Sequence, residues 1–164
     1  MVLQKNTKCY YIFDLGAVAM ALLAHQLQTL GYPDQAAKMI GMPLKLAREL
    51  SHPHTLAMVL FHSASVHKER IEPPAGRHLI EESIALCHTH GFSLLETQAQ
   101  GTLGVILFHE GKYEAAITEI RLGFDRAVKA NPIQDAVWWH LDLAEAYRRL
   151  KQPTEGLKEL DRLN

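Results

Sequence analysis

Apolar residues recur along most of the chain at intervals of three and four residues, which is the spacing of an amphipathic helix. In one stretch, Leu103, Leu107 and Phe108 precede a turn at Gly111, and the same spacing resumes after it. Proline, glycine and capping residues interrupt the pattern at regular places. These stops and starts predict helices over residues 16–30, 33–50, 53–70, 74–90, 93–110, 113–130, 133–150 and 153–163. No alternating strand pattern competes, so the pattern predicts an all-α protein.

The predicted helices form pairs that repeat every forty residues. The turn inside each pair falls at Gly31, Ile71, Gly111 and Lys151. We call a set of residues forty apart a column. Two columns contain only small residues, which let paired helices approach closely: Ala24, Ala64, Gly104 and Ala144 before the turn, and Ala36, Gly76, Ala116 and Gly156 after it. We therefore expect an N-terminal extension (1–15) and one repeat domain (16–164), with units of about 16–50, 53–90, 93–130 and 133–163.

Two features depart from the regular pattern. Gly41-Met42-Pro43 falls inside the second helix, where a proline removes a backbone hydrogen bond and is expected to kink or split the helix. The last helix stops at Asn164, short of its counterparts and without a polar capping helix behind it. Because helical arrays need terminal caps for solubility, we expect self-association through this uncapped C-terminal end, or a longer parent chain.

The turn and small-residue pattern resembles that of tetratricopeptide repeats (TPRs). In the last unit Ala144, Tyr147 and Gly156 occupy the family's small, aromatic and small consensus positions. The forty-residue period differs from the usual 34 of the family and lengthens both helices. The resemblance implies a right-handed α-α superhelix, a TPR-like solenoid of about four helix pairs.

Three segments extend the resemblance to a narrower group. LGYPDQA at 30–36, ARELSHP at 47–53 and HGF at 90–92 are similar to the C-terminal repeat regions of large bacterial signalling proteins. Those proteins carry an adenylate-cyclase-like or transcription-regulator head and a STAND-type ATPase. This chain has no G-x-x-x-x-G-K-[ST] phosphate loop. The resemblance therefore implies the repeat portion of a signalling regulator, without the catalytic parts.

The same resemblance implies where a partner would bind, because the first helix of each TPR pair lines a concave groove. The groove positions map onto His25, Gln28, Phe61, Ser65, Lys68, Gln98, His109, Trp138, Glu145, Arg148 and Arg149. The family's carboxylate clamp has asparagine in the column of His25, Ser65, Val105 and Glu145, where this chain has none. We therefore expect no chaperone-tail clamp, and Arg148 and Arg149 are the candidates for contacting an acidic segment.

Trp138 and Trp139 are adjacent, so their side chains point about 100° apart on a helix. Both rings cannot be buried completely in one core. One of them is therefore a candidate binding anchor, since tryptophan is enriched among interface hot spots.

Charge and composition exclude several classes of partner. The net charge is −1, from 17 basic and 18 acidic residues, which leaves no basic footprint for nucleic acid or an anionic membrane. The apolar run 9–24 is interrupted by Asp14 and ends too early for a membrane span. Its Ala17-Val18-Ala19 imitates a signal-peptidase site but belongs to a predicted helix. Two cysteines make no disulfide framework, so we expect a cytoplasmic protein.

Catalytic and metal patterns are weak. The ten histidines include two pairs at a spacing of two, whereas ligands on one helix face need a spacing of three or four. Carboxylate pairs such as Asp142 and Glu145 are interpreted as solvated helix faces. We expect no cofactor, metal or enzymatic activity, and a protein or peptide partner. The alternatives are a groove that captures a small molecule or signalling peptide, and an enzyme or metal protein built from histidines of separate helices.

Overall fold

The computed structural model describes residues 14–130 and 136–162. These residues form α1 (Leu15–Thr29), α2 (Pro33–Leu50), α3 (Pro53–Glu69), α4 (Pro73–His90), α5 (Ser93–His109), α6 (Tyr113–Ala130), α7 (Ala136–Arg149) and α8 (Pro153–Asp161), with no strand among them. The first six helices agree with their predicted bounds to within one residue. The predicted start of the seventh helix, at 133–135, lies outside the described residues, as does most of the N-terminal extension. No helix in the described ranges is long and apolar enough to cross a membrane.

The turn inside each pair contains one residue in the left-handed conformation, at the predicted period of forty. The positive φ angles are 85° at Gly31, 55° at Ile71, 77° at Gly111 and 59° at Lys151. At the first turn the Tyr32 N–H donates to the Leu27 carbonyl at 2.8 Å, and the other three turns repeat this bond. Such bonds satisfy carbonyls at the helix end. Glycine adopts a positive φ freely, whereas the β-branched Ile71 is strained there.

Helix starts are set by proline and by side-chain caps. Four helices begin with proline, whose missing N–H costs nothing in the first turn. Asp14 caps α1 by accepting from the Ala17 N–H at 2.9 Å. His52 caps α3, because its Nδ1 accepts from the Thr55 N–H at 3.2 Å. The histidine cap was not predicted from the sequence.

The two small columns face each other inside the helix pairs. A Cβ added at Gly76 would lie 3.3 Å from the Ala64 carbonyl oxygen. One added at Gly156 would lie 3.0 Å from the Ala144 carbonyl oxygen. The predicted close approach of paired helices is confirmed.

The core continues through the junctions between neighbouring pairs. Ile40 of α2 is buried in one cluster with Val66 of α3. Ile80 and Ile120 are in the same column as Ile40, and they pack in the corresponding way against α5 and α7. The first helices also contact one another in succession, α1 with α3, α3 with α5 and α5 with α7. They therefore form the inner layer of the solenoid.

The second helix corrects one prediction. α2 is continuous from Pro33 to Leu50, with Pro43 inside it, so of the expected kink or split the split is wrong. The missing N–H of Pro43 still removes one hydrogen bond to the carbonyl four residues earlier. However, the Pro43 ring is fully buried, and apolar burial of this kind offsets that loss.

Candidate functional site

The inner layer encloses a concave cavity of about 430 Å³. Every residue that lines it belongs to the first helix of a pair, α1, α3, α5 or α7. The lining includes six of the predicted groove residues: His25, Phe61, Ser65, Lys68, Gln98 and Trp138. The cavity therefore brings these six side chains together around one space.

The other five predicted residues do not line this cavity. Gln28 is partly buried, and its side-chain oxygen has no hydrogen-bond partner within the described part of the chain. His109 is also partly buried, and burial together with the charge of Lys68 lowers its pKa. Glu145 and Arg148 line a second, apolar hollow between α7 and α8, and Arg149 is exposed beside it.

Sequence reasoning missed the column three residues before His25. Its members all line the cavity: Leu22, His62, Thr102 and Asp142. Residues three apart share a helix face, so their position relative to the His25 column was the available signal. Gln26 and Trp139 were missed as well, and Val105, which also lines the cavity, lies in the His25 column itself.

The two adjacent tryptophans differ in burial, as predicted. Trp138 is 68% exposed at the cavity, whereas Trp139 is 6% exposed. The Trp139 ring lies edge-on to Phe124, with centroids 5.4 Å apart, and covers Gly101. Trp139 therefore belongs to the core, and Trp138 is the ring available to a partner.

A chain of hydrogen bonds joins α1 to α3 at one side of the cavity. His25 Nε2 lies 2.9 Å from Glu69 Oε1, and Thr29 donates to Glu69 Oε2 at 3.3 Å. A carboxylate can only accept, so His25 donates through Nε2 and presents Nδ1 to His62 Nδ1 at 3.5 Å. Burial, assisted by His25, lowers the pKa of His62 to about 4, which leaves it neutral near pH 7. Burial acts to raise the pKa of Glu69, but its His25 contact and nearby charges outweigh this effect and lower it.

Asp142 occupies the α7 side of the cavity and is only partly exposed. Its interpretation as part of a solvated helix face is therefore wrong. Burial raises the pKa of Asp142 to about 6, although the charge of Lys68 acts in the opposite direction. No ion pair to Asp142 occurs in the ranges that the structure describes.

The two arginines at the end of α7 are already paired. Arg148 Nε lies 2.6 Å from one Glu145 oxygen, and Arg149 Nε lies 2.8 Å from the other. These contacts lower the pKa of Glu145 to about 2. An acidic ligand would therefore have to compete with Glu145 for both guanidinium groups.

His25 and His62 do converge from separate helices, but a metal site needs more ligands. No group of three or more His, Cys, Asp or Glu side chains with metal-binding geometry occurs within 14–130 and 136–162. Ser65, in the same cavity, donates its hydroxyl to the Phe61 carbonyl at 3.0 Å. In this arrangement that hydroxyl is not directed at either histidine.

No protein-family model matches the chain, and no curated protein matches it in sequence. Among solved structures, it is similar to a protein of Podosopora anserina described as a kinesin light chain with nearly identical TPR-like repeats. The TM-score is 0.74 at 16% identity, over 88% of this chain and 71% of that one. A single-residue variant of the same protein matches equally well. The fold is a TPR-like solenoid.

Proposed function

We propose that the chain is a non-catalytic, cytoplasmic interaction module that holds a peptide segment or a partner protein in its concave cavity. The observation that carries this proposal is a cavity lined by all four first helices with Trp138 exposed at it. A large exposed ring beside partly buried polar groups has the character of an interface hot spot. The TPR-like fold supports a scaffold rather than an enzyme.

The chemistry of the cavity favours a segment with a basic residue next to an apolar one. Asp142 offers a partly desolvated carboxylate, which gains most from a cation. Trp138 offers an exposed ring on which an aliphatic stem or a guanidinium group can stack. Lys68 of α3 lines the same cavity and its charge acts on Asp142, which favours a single basic residue over a basic run.

Selection of a displayed library of linear peptides on the full chain tests this function. Enriched peptides would be titrated against Trp138→Ala and Asp142→Asn, with Leu122→Ala as the control because Leu122 is exposed on α6, away from the cavity. We expect each cavity variant to weaken binding by about tenfold or more, as for a lost hot spot, and the control to bind normally. Peptides that bind all four proteins equally would contradict the site, and a failed selection would contradict a peptide occupant.

A small molecule or short signalling peptide is the second candidate occupant. The volume of about 430 Å³ favours it, because ligand pockets span roughly 300–1,000 Å³. A thermal-shift screen with amine- and guanidinium-bearing metabolites distinguishes the two. Stabilisation that disappears in Asp142→Asn would support a sensor.

We also propose, from the sequence resemblance alone, that the chain acts as the repeat portion of a bacterial signalling regulator. A cyclase, ATPase or DNA-binding head encoded in the same reading frame would support this placement. Isolated reading frames in related genomes would contradict it. Self-association through the C-terminal end is a second proposed mode of interaction.

A further inference from the structure

The face of α1 at the N-terminal end of the solenoid is exposed, although the residues in the same columns of the other units are buried. We call Ala19, Leu23 and Gln26 the N-face; all three are exposed. Leu23 is 49% exposed, whereas its column mates Ser63, Leu103 and Leu143 are 1%, 8% and 1% exposed. In the other units these columns are covered by the preceding helix pair.

The face of the last pair at the C-terminal end of the solenoid is exposed as well. We call Leu141, Leu157 and Leu160 the C-face; with Gly156 and others they line an apolar hollow of about 380 Å³. Leu157 is 61% exposed. Ile120, the column mate of Leu160, is fully buried against α7.

The two faces are the two halves of a junction that the chain already makes internally. At α6 and α7, Ile120 packs with Trp139 and Leu143, which are in the columns of Ala19 and Leu23. At α4 and α5, Ile80 shares a cluster with Leu103. The C-face columns therefore contact the N-face columns wherever one pair follows another.

The sizes of the facing residues match as well. Gly101 faces the large Trp139, and a Cβ added at Gly101 would overlap that ring. Across the exposed faces the sizes are reversed, since Leu141 would meet Ala19. The sequence of α1 contains no Asp, Glu, Lys or Arg, so it brings no unpaired charge into the apolar hollow. Arg148, the arginine that lines the hollow, is already paired with Glu145.

We infer that the C-face of one copy binds the N-face of a second copy, so that the second copy continues the solenoid. The inference rests on the proposed interaction function and specifies one surface pair that serves it. The contact joins two different faces and leaves one of each free. It therefore produces an open stack or a closed ring rather than a two-fold dimer.

Sedimentation velocity of the full chain over a range of concentrations tests this contact. Leu157→Glu blocks the C-face, Leu23→Glu blocks the N-face, and Leu122→Glu is the matched control on the outside of α6. All three leucines are exposed, so helix content by circular dichroism should not change. We expect the average mass of the unmodified chain and of the control to rise with concentration. Each blocking variant alone should associate at least about tenfold more weakly.

Mixing the two blocking variants is the decisive measurement. One variant keeps its N-face and the other its C-face, so an equimolar mixture should form a one-to-one complex that grows no further. A two-fold contact between C-faces would instead leave Leu23→Glu fully associated, which would overturn the inference. An unmodified chain that stays monomeric up to about millimolar concentration would overturn it too.

Stacking and peptide binding are tested at different residues, so the failure of one can be distinguished from the failure of the other. Leu157 and Leu23 do not line the cavity, so cavity peptides should bind both variants as they bind the unmodified chain. Loss of stacking with peptide binding retained would overturn only the stacking. Loss of peptide binding with stacking retained would overturn only the cavity as the site.

Discussion

Gly101 determines where the Trp139 ring can lie. The ring occupies the space that a Cβ at Gly101 would fill, with Cζ2 nearest to that position. Glycine in a helix costs about 1 kcal/mol relative to alanine, so propensity alone favours alanine at this position. The close approach of the ring supplies the physical reason for glycine.

We therefore expect Gly101→Ala to destabilise the fold by about 1–3 kcal/mol, the usual cost of overpacking a core. Gly41→Ala is the matched control, because Gly41 is also inside a helix but has nothing within 4 Å of an added Cβ. That change should stabilise by about 0.5–1 kcal/mol. Urea unfolding followed by circular dichroism measures both, and a gain in both variants would show that Trp139 moves without cost.

α8 is an element that depends on one buried carboxylate. It has nine residues, too few for a stable isolated helix. Glu159 is 1% exposed and lies 2.9 Å from Arg121, 3.2 Å from His140 and 2.9 Å from Arg162. The first two contacts reach α6 and α7, so Glu159 joins α8 to the helices on which it packs.

Replacing Glu159 with Gln keeps the shape and removes the charge. We expect the free energy of unfolding to fall by about 1–3 kcal/mol, since Arg121, His140 and Arg162 would all lose the charge of a buried acceptor. Hydrogen exchange of the α8 amides should be accelerated more than that of α5. The control is Glu155→Gln, whose exposed pair with Lys158 contributes at most about 1 kcal/mol. Equal α8 protection in the two variants would contradict the docking role.

Most of the helix boundaries could be predicted from the sequence. Proline at Pro33 and Pro53 fixes φ locally, and glycine at Gly31 permits the positive φ of the turn, so helix ends follow from the chain itself. Whether α2 continues through Pro43 could not be predicted in the same way. Its local cost is visible in the sequence, but the burial that offsets it depends on neighbouring helices.

At the scale of the whole molecule, the cavity could be only partly predicted. Six of the predicted groove residues line the cavity, and their prediction came from the resemblance to a family with a concave face. The column of Leu22, His62, Thr102 and Asp142 shares no size, charge or polarity. Its importance arises only because the solenoid brings α1, α3, α5 and α7 around one space. A curvature set by packing along the whole array has no signature in a single helix.

Two cavity groups give the stability of the whole fold opposite pH dependences. His62 has a pKa of about 4 in the fold and 6.5 as its ordinary value, so the unfolded chain binds its proton first. Its contribution therefore lowers stability as the pH falls from 6.5 to 4. Asp142 has a pKa of about 6 in the fold and 3.8 as its ordinary value, so the folded chain binds its proton first. Its contribution raises stability as the pH falls from 6 to 3.8.

Because the two windows overlap, the contributions partly cancel in the unmodified chain, and single variants should separate them. Asp142→Asn should lose stability more steeply than the unmodified chain on acidification from about pH 6.5 to 4, and His62→Gln should lose it less steeply. At neutral pH Asp142→Asn should also be the more stable protein, since it removes a partly buried charge next to Lys68 only. Urea unfolding at a series of pH values gives the two difference curves, with the exposed Asp125→Asn as control. Difference curves of the same sign would mean that one of these groups is solvated in the folded chain.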